Sequence, residues 1–166
     1  MKKTPFVTKK QLEEIVKKYP TPFHLYDEAG IRKNAQALKD AFAWNKGFRE
    51  YFAVKATPNP FIMNILREYG CGYDCSSLTE LMLSEATGVQ PRDIMFSSND
   101  TPAEEFAYAD KLGAIINLDD ITHIDCLEET LGHIPEIISC RYNPGGIFKI
   151  SNDIMDNPGD AKYGMT

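Results

Sequence analysis

Five short apolar runs punctuate the chain at near-constant intervals, beginning at Tyr51, Gly72, Ile94, Ala114 and Ile137. Their spacings are 21, 22, 20 and 23 residues. Each of the first four passes into a polar segment whose apolar positions recur at helical spacing. A strand followed by a returning helix consumes about this much chain. The cadence therefore predicts consecutive βα units of a parallel sheet or barrel.

The joins between runs carry helix-start chemistry. Asn59-Pro60 offers a capping asparagine with proline at the first helical position, ahead of an apolar face of Ile62, Ile65, Leu66 and Tyr69. Ser77-Leu78-Thr79-Glu80 and Thr101-Pro102-Ala103-Glu104 both read as capping boxes. Asp119 or Asp120 is placed to cap a helix through Ile121, Ile124 and Leu127. Upstream, Thr8-Lys9-Lys10-Gln11 is another capping box, opening a helix that stops before Pro20. Thr21-Pro22-Phe23-His24-Leu25-Tyr26 reads as a short strand, and Asp27 as the cap of a long helix through Ile31, Ala35, Leu38 and Phe42. After Ile137–Tyr142 the periodicity fades into two loop signals, Asn143-Pro144-Gly145-Gly146 and Asn157-Pro158-Gly159-Asp160.

Composition narrows the class. The chain has 166 residues, 43% hydrophobic and 25% charged, with a net charge of −6. That suits one globular core and supplies no basic patch for nucleic acid. Neither a signal-peptide pattern nor a membrane-length apolar run is present, which sets the expectation of a cytoplasmic protein without a membrane partner. Cys71, Cys75, Cys126 and Cys140 are scattered and read as reduced core thiols. His24, His123 and His133 do not fall at metal-ligand spacing. One number pulls against the cadence: a closed (β/α)8 barrel takes about 250 residues. The fold is either a small five-stranded α/β sheet or the front part of a longer barrel.

Lys55 closes the first run, Tyr51-Phe52-Ala53-Val54-Lys55. Groups at the C-terminal ends of barrel strands face the active site. A lysine there, partly desolvated, loses some preference for its charged form and can attack a carbonyl. The plainer alternative is a solvated lysine at a strand end.

Taken in order, several segments resemble the pyridoxal-phosphate decarboxylases of the alanine-racemase-like, fold type III family. Phe52-Ala53-Val54-Lys55-Ala56 is similar to that family's cofactor-lysine segment. Thr21–Asp27 resembles its first strand, and Gly72-Tyr73-Asp74-Cys75-Ser76-Ser77 with Glu80 its next landmark. Phe96-Ser97-Ser98-Asn99 and Asn117-Leu118-Asp119 stand where its third and fourth strands end. Cys140-Arg141-Tyr142-Asn143-Pro144-Gly145 resembles its arginine-bearing fifth strand, and Ala161-Lys162-Tyr163-Gly164 the Lys-Phe-Gly-like motif after it. Within the family the wording is most similar to the diaminopimelate decarboxylases. Carboxynorspermidine and other basic amino-acid decarboxylases come next.

The resemblance implies an α/β fold: about five βα units forming the N-terminal part of a pyridoxal-phosphate-binding (β/α)8 barrel. Residues 1–27 would be an N-terminal arm and 28–166 the partial barrel, with the remaining barrel half and a C-terminal β-domain lying beyond residue 166. It implies that Lys55 holds pyridoxal 5'-phosphate covalently. It also implies that Asp74 tunes protonation at the lysine nitrogen, and that Arg141 hydrogen-bonds near the ring. Glu80 is satisfied by its capping box alone, and Arg141 has a structural alternative in an ion pair with a strand-end carboxylate. The implied partners are a small amino-acid substrate and, for the full-length parent, a second copy in a homodimer. The ring-stacking histidine, the phosphate-gripping turn and the acidic partner of the pyridine nitrogen would all lie outside this chain. The 166 residues alone are therefore expected not to decarboxylate, and to expose sheet edges that favour association. Two other readings remain: a non-catalytic pyridoxal-phosphate carrier, and an α/β interaction domain in which Lys55 is incidental.

Overall fold

A computed structural model describes residues 4–147, 159 and 163–165. The chain forms two compact units, residues 1–44 and residues 45–166.

The first unit contains two helices. Helix α1 (Lys9–Lys18) begins at the expected capping box: Thr8 accepts from the Gln11 amide, and the Gln11 side chain accepts from the Thr8 amide at 2.8 Å. Helix α2 (Glu28–Ala41) starts at Asp27, whose carboxylate accepts from the Gly30 amide at 3.0 Å. Between them, Thr21–Tyr26 forms no strand. Its β-forming residues have no ladder to join among the described residues, and an unpaired extended segment is not a strand.

The second unit is built on the predicted cadence. Five strands, β1 (Tyr51–Ala53), β2 (Gly72–Cys75), β3 (Ile94–Ser97), β4 (Ile115–Leu118) and β5 (Ile138–Cys140), form one parallel sheet in sequence order. Helices α3 (Pro60–Glu68), α4 (Leu78–Ala86), α5 (Ala103–Leu112) and α6 (Thr122–Leu131) make the crossovers between them. Strand order that never reverses is the order of a barrel wall, whereas a doubly wound sheet has a switch point.

Cap chemistry accounts for two of the helix starts. Asn59 accepts from the Phe61 amide with Pro60 at the first position of α3, and Ser77 accepts from the Glu80 amide at α4. The third predicted box does not form. Helix α5 starts one residue later than the motif requires, with Pro102 as its cap, and the Thr101 hydroxyl is buried without a partner. At α6 Asp120 takes the local role, accepting from the Thr122 amide and hydroxyl, and Asp119 is engaged elsewhere.

Period-two alternation sorts the strand residues onto two faces. One face carries Tyr73, Cys75, Ile94, Phe96, Ile116 and Leu118, all 2% exposed or less. They pack with Met63, Leu81, Phe106, Ala109 and Leu127 from the helices into one core. Phe96 and Phe106 meet edge to face at 6.3 Å. Each such side chain removed from water contributes about 1.5–3 kcal/mol, so this face holds the unit together. The cysteines do not all share it as expected: Cys71 and Cys75 are buried, Cys126 is half-buried, and Cys140 is exposed. Cys140 ends β5, and among the described residues only a 3-10 turn, Gly145–Ile147, follows that strand, with no α-helix to cover it.

The polar end of the sheet as a candidate active site

The second face of the sheet carries a different set of residues. Register places Asp74 between Ala53 and Met95, and Ser97, Asn117 and Ser139 side by side across β3, β4 and β5. Ser139 donates to Asn117 Oδ1 at 2.8 Å, and Asn117 Nδ2 donates to Ser97 Oγ at 3.4 Å. Asn117 is buried, so these bonds meet the polar atoms that burial has taken from water. Tyr51, Asp74, Met95, Ser97, Asn117, Ser139 and Arg141 together line an open hollow of about 280 Å³. The Tyr51 ring lies against the backbone of Gly72, where a Cβ would come within 2.8 Å of it and within 2.5 Å of the Asp93 carbonyl oxygen. Its hydroxyl donates to the Arg92 carbonyl at 3.0 Å. Only a residue without a side chain lets that ring floor the hollow.

Asp74 is the most perturbed acid here. Partial burial pushes its carboxyl up from 3.8 to about 6; the positive charge of Lys55 opposes the rise, Glu80 adds to it, and Arg141 opposes it least. One of its oxygens, Oδ1, is buried without a hydrogen-bond partner. A buried carboxylate oxygen with no donor is an acceptor whose hydrogen bond is unmet, and a nearby N–H or positive charge would stabilise the carboxylate.

Lys55 lies just beyond its predicted position. Strand β1 ends at Ala53, and Lys55 follows in a single 3-10 turn, Val54–Ala56. Val54 is fully buried beneath that turn. The Lys55 side chain is exposed and does not line the hollow, although its charge acts on Asp74. The desolvation expected of a strand-end lysine is therefore not present at Lys55, because the turn lifts it above the sheet.

Arg141 follows β5 directly, and its amide donates to the Leu118 carbonyl at 2.9 Å. Its guanidinium pairs with Asp119 at 2.7 Å, and Asp119 is 4% exposed. The strand-end carboxylate that the sequence offered as a structural partner is thus Asp119, while Arg141 still reaches the hollow. Glu80 accepts from the Ser76 amide and from the hydroxyls of Ser76 and Ser77 at 3.0–3.1 Å, so its local role fully engages it.

The sheet brings Asp74 and Arg141 to one hollow, and Lys55 lies outside its lining, linked to it through its charge on Asp74. Sequence reasoning missed the Ser97-Asn117-Ser139 ladder, and it offered an ion pair for Arg141 without singling out Asp119 among the strand-end carboxylates. The polar residue at the end of each successive run was the available signal. The polar set suits an anionic aromatic carbonyl cofactor: a guanidinium and a row of amide and hydroxyl groups lining the hollow, a carboxylate with an unmet acceptor, and a lysine amine whose charge acts on that carboxylate.

Comparison with known proteins leads to the same chemistry. Residues 28–166 match the family model described as pyridoxal-dependent decarboxylase, pyridoxal binding domain. Protein TabA of Pseudomonas amygdali pv. tabaci is 41% identical over 154 residues, 93% of this chain and 35% of that protein. Diaminopimelate decarboxylase of Thermoplasma acidophilum is 34% identical over 134 residues, 81% of this chain and 32% of that protein. Among solved structures, diaminopimelate decarboxylase from Helicobacter pylori, complexed with L-lysine, aligns with a TM-score of 0.71 at 33% identity. The alignment covers 81% of this chain and 34% of that one. The chain spans about a third of the length of the relatives it matches.

Proposed function

Because the chain belongs to the family of pyridoxal-dependent decarboxylases, we propose that it is the pyridoxal-phosphate-binding part of an amino-acid decarboxylase. Lys55 is the residue that would bind the cofactor covalently. Asp74 and Arg141 would complete the binding set. The single observation that carries this reading is half-buried Asp74 lining the hollow with its buried Oδ1 unpartnered, under the influence of the Lys55 charge. When bound, the cofactor supplies an electron sink for the pair left on the α-carbon as CO2 departs.

The chain's own residues have narrower tasks. Above a pH of about 6 Asp74 is a carboxylate, a counter-charge for a cationic nitrogen brought to the hollow. Arg141 presents N–H donors to the hollow, in a fork suited to an anionic oxygen. The Asn117 ladder keeps the floor polar and ordered. The sheet's helix side supplies only rigidity.

For the parent protein we propose decarboxylation of meso-diaminopimelate to L-lysine, in a cytoplasmic homodimer. Several relatives bear the diaminopimelate decarboxylase name, which supports that substrate. A different basic amino acid is the second candidate, because the relative at 41% identity carries another name. The 166 residues by themselves are expected to bind the cofactor without efficient turnover. The test is to mix the chain with pyridoxal 5'-phosphate, reduce with borohydride and map the labelled peptide. Label on Lys55, lost in Lys55→Ala, is the expected result. Label spread over exposed lysines, or unchanged in Lys55→Ala, would overturn the proposal. Adding meso-diaminopimelate and following CO2 separates binding from turnover.

A further inference from the structure

The Tyr163-Gly164 motif is left without a task by the site as described, yet it lies directly on a site residue. Resting on the cofactor-binding reading above, we propose that Tyr163 and Gly164 are positioning residues that clasp Arg141 against Asp119 and fix its guanidinium at the hollow.

Three sets of contacts make the clasp. The Tyr163 ring lies 5.4 Å from the Arg141 guanidinium carbon, on the cation–π side, and Asp119 pairs with the same guanidinium at 2.7 Å. The backbone of the motif is tied down by Asn143, which is buried. Its Nδ2 donates to the Tyr163 carbonyl at 2.7 Å, and its amide donates to the Met165 carbonyl at 2.7 Å. The Met165 amide returns a bond to the Arg141 carbonyl at 2.8 Å, so Tyr142 and Met165 form a parallel bridge.

Gly164 is required by both its backbone and its neighbours. Its φ is +85°, and a Cβ there would lie 3.0 Å from Arg141 Cγ, 3.2 Å from the Arg141 carbonyl oxygen and 3.2 Å from Asn143 Cβ. A side chain would push on the stem of the arginine itself. The clasp meets a specific physical need. A free arginine gives up rotamer entropy when it is fixed, and a support already in place lowers that cost before a ligand arrives. Asp119 also offsets the cation's charge, so Arg141 acts as a directed hydrogen-bond donor more than as a bare positive charge.

The plainer alternative is that residues 163–165 only extend the sheet. Two readouts on the full chain distinguish the two. The first is the Arg141 side-chain Nε–H resonance, assigned with Arg141→Lys, and its exchange with water. The second is the dissociation constant for pyridoxal 5'-phosphate, read by borohydride trapping at Lys55. Tyr163→Phe, which keeps the ring face, is expected to preserve both. Tyr163→Leu and Gly164→Ala are expected to speed exchange at Arg141 and to weaken cofactor binding on the order of tenfold, the scale of a small misplacement of a site group. Should Gly164→Ala fail to fold, Tyr163→Leu at a half-exposed position carries the test. If both readouts in Tyr163→Leu match the wild type, the clasp is refuted. If wild-type chain traps no cofactor at Lys55 while Arg141 exchange still responds to Tyr163→Leu, the cofactor reading fails and the clasp stands.

Discussion

The two faces of one sheet divide structure from chemistry. On the helix side, Tyr73, Phe96, Ile116 and Leu118 are fully buried, and Cys75 bonds only to Ser84, at 3.1 Å. One residue away along each strand, the other face carries Asp74, Ser97, Asn117 and Ser139, with Arg141 beyond the end of β5. The same backbone serves both because side chains alternate. The helix face packs largely apolar groups against one another and supplies most of the burial energy, although the Tyr73 hydroxyl is buried there without a partner. The polar face holds an unpartnered oxygen on Asp74 and a half-exposed cation on Arg141, and it spends stability on groups that await a ligand. Substitutions on the two faces should therefore differ in size and in sign.

The largest effect is expected on the helix face. Phe96→Ala removes a fully buried ring in edge contact with Phe106 and should cost about 3–5 kcal/mol, read as a lower urea midpoint or as loss of the cooperative transition. If the loss were below about 1 kcal/mol, this face would not be the stabilising one.

Second in size is Arg141→Met, which leaves Asp119 buried without its cation. The guanidinium side chain is 42% exposed, so the cost is expected near 2 kcal/mol, below that of a fully buried pair. Asp119→Asn, which abolishes the buried charge, should be milder in the same urea titration.

The third changes sign. The Asp74 carboxyl, at about 6 in the folded chain, lies above the ordinary 3.8. The folded chain then binds that proton more tightly than the unfolded chain, so stability falls as pH rises between those values, and the penalty is complete above them. Asp74→Asn should therefore stabilise the chain at neutral pH by on the order of 1 kcal/mol after solvent screening, and leave it unchanged in acid. A variant that is less stable than wild type at neutral pH would show that the Lys55 attraction outweighs the burial cost.

The smallest effect costs no stability. Burial pushes the Cys75 thiol up to about 12, whereas Cys140 is exposed. Brief alkylation of the folded chain followed by peptide mapping should label Cys140 and spare Cys75, and urea should abolish the difference.

Much of this was readable along the chain, for reasons particular to each element. The strand cadence was legible because each βα unit repeats one local problem: bury a strand, turn, cap a helix, return. Asn59-Pro60 and Ser77 through Glu80 solve it with bonds between residues close in sequence, and those bonds form as expected. Thr101 misled because a shift of one residue in the start of α5 turns a capping hydroxyl into an idle one, and propensity does not set that register. The Thr21–Tyr26 segment misled because a strand is a relation between two segments, and its composition names only one of them.

What the order of residues determined alone is the parallel run of βα units and the place of Lys55 at the end of the first apolar run, since alternation and helical spacing are local periodicities written residue by residue; Asp74 and Arg141 became candidates through the resemblance of their segments to a known family. Tertiary structure alone decided that Asp119 holds Arg141, that Asn117 bridges two serines, that Tyr163 and Gly164 lie over the arginine, and that Lys55 stands exposed in a turn. All but the Lys55 turn depend on groups 20 or more residues apart coming into contact. Short-range patterns along a chain carry no measure of such distances; only the folded register of neighbouring strands brings the groups together.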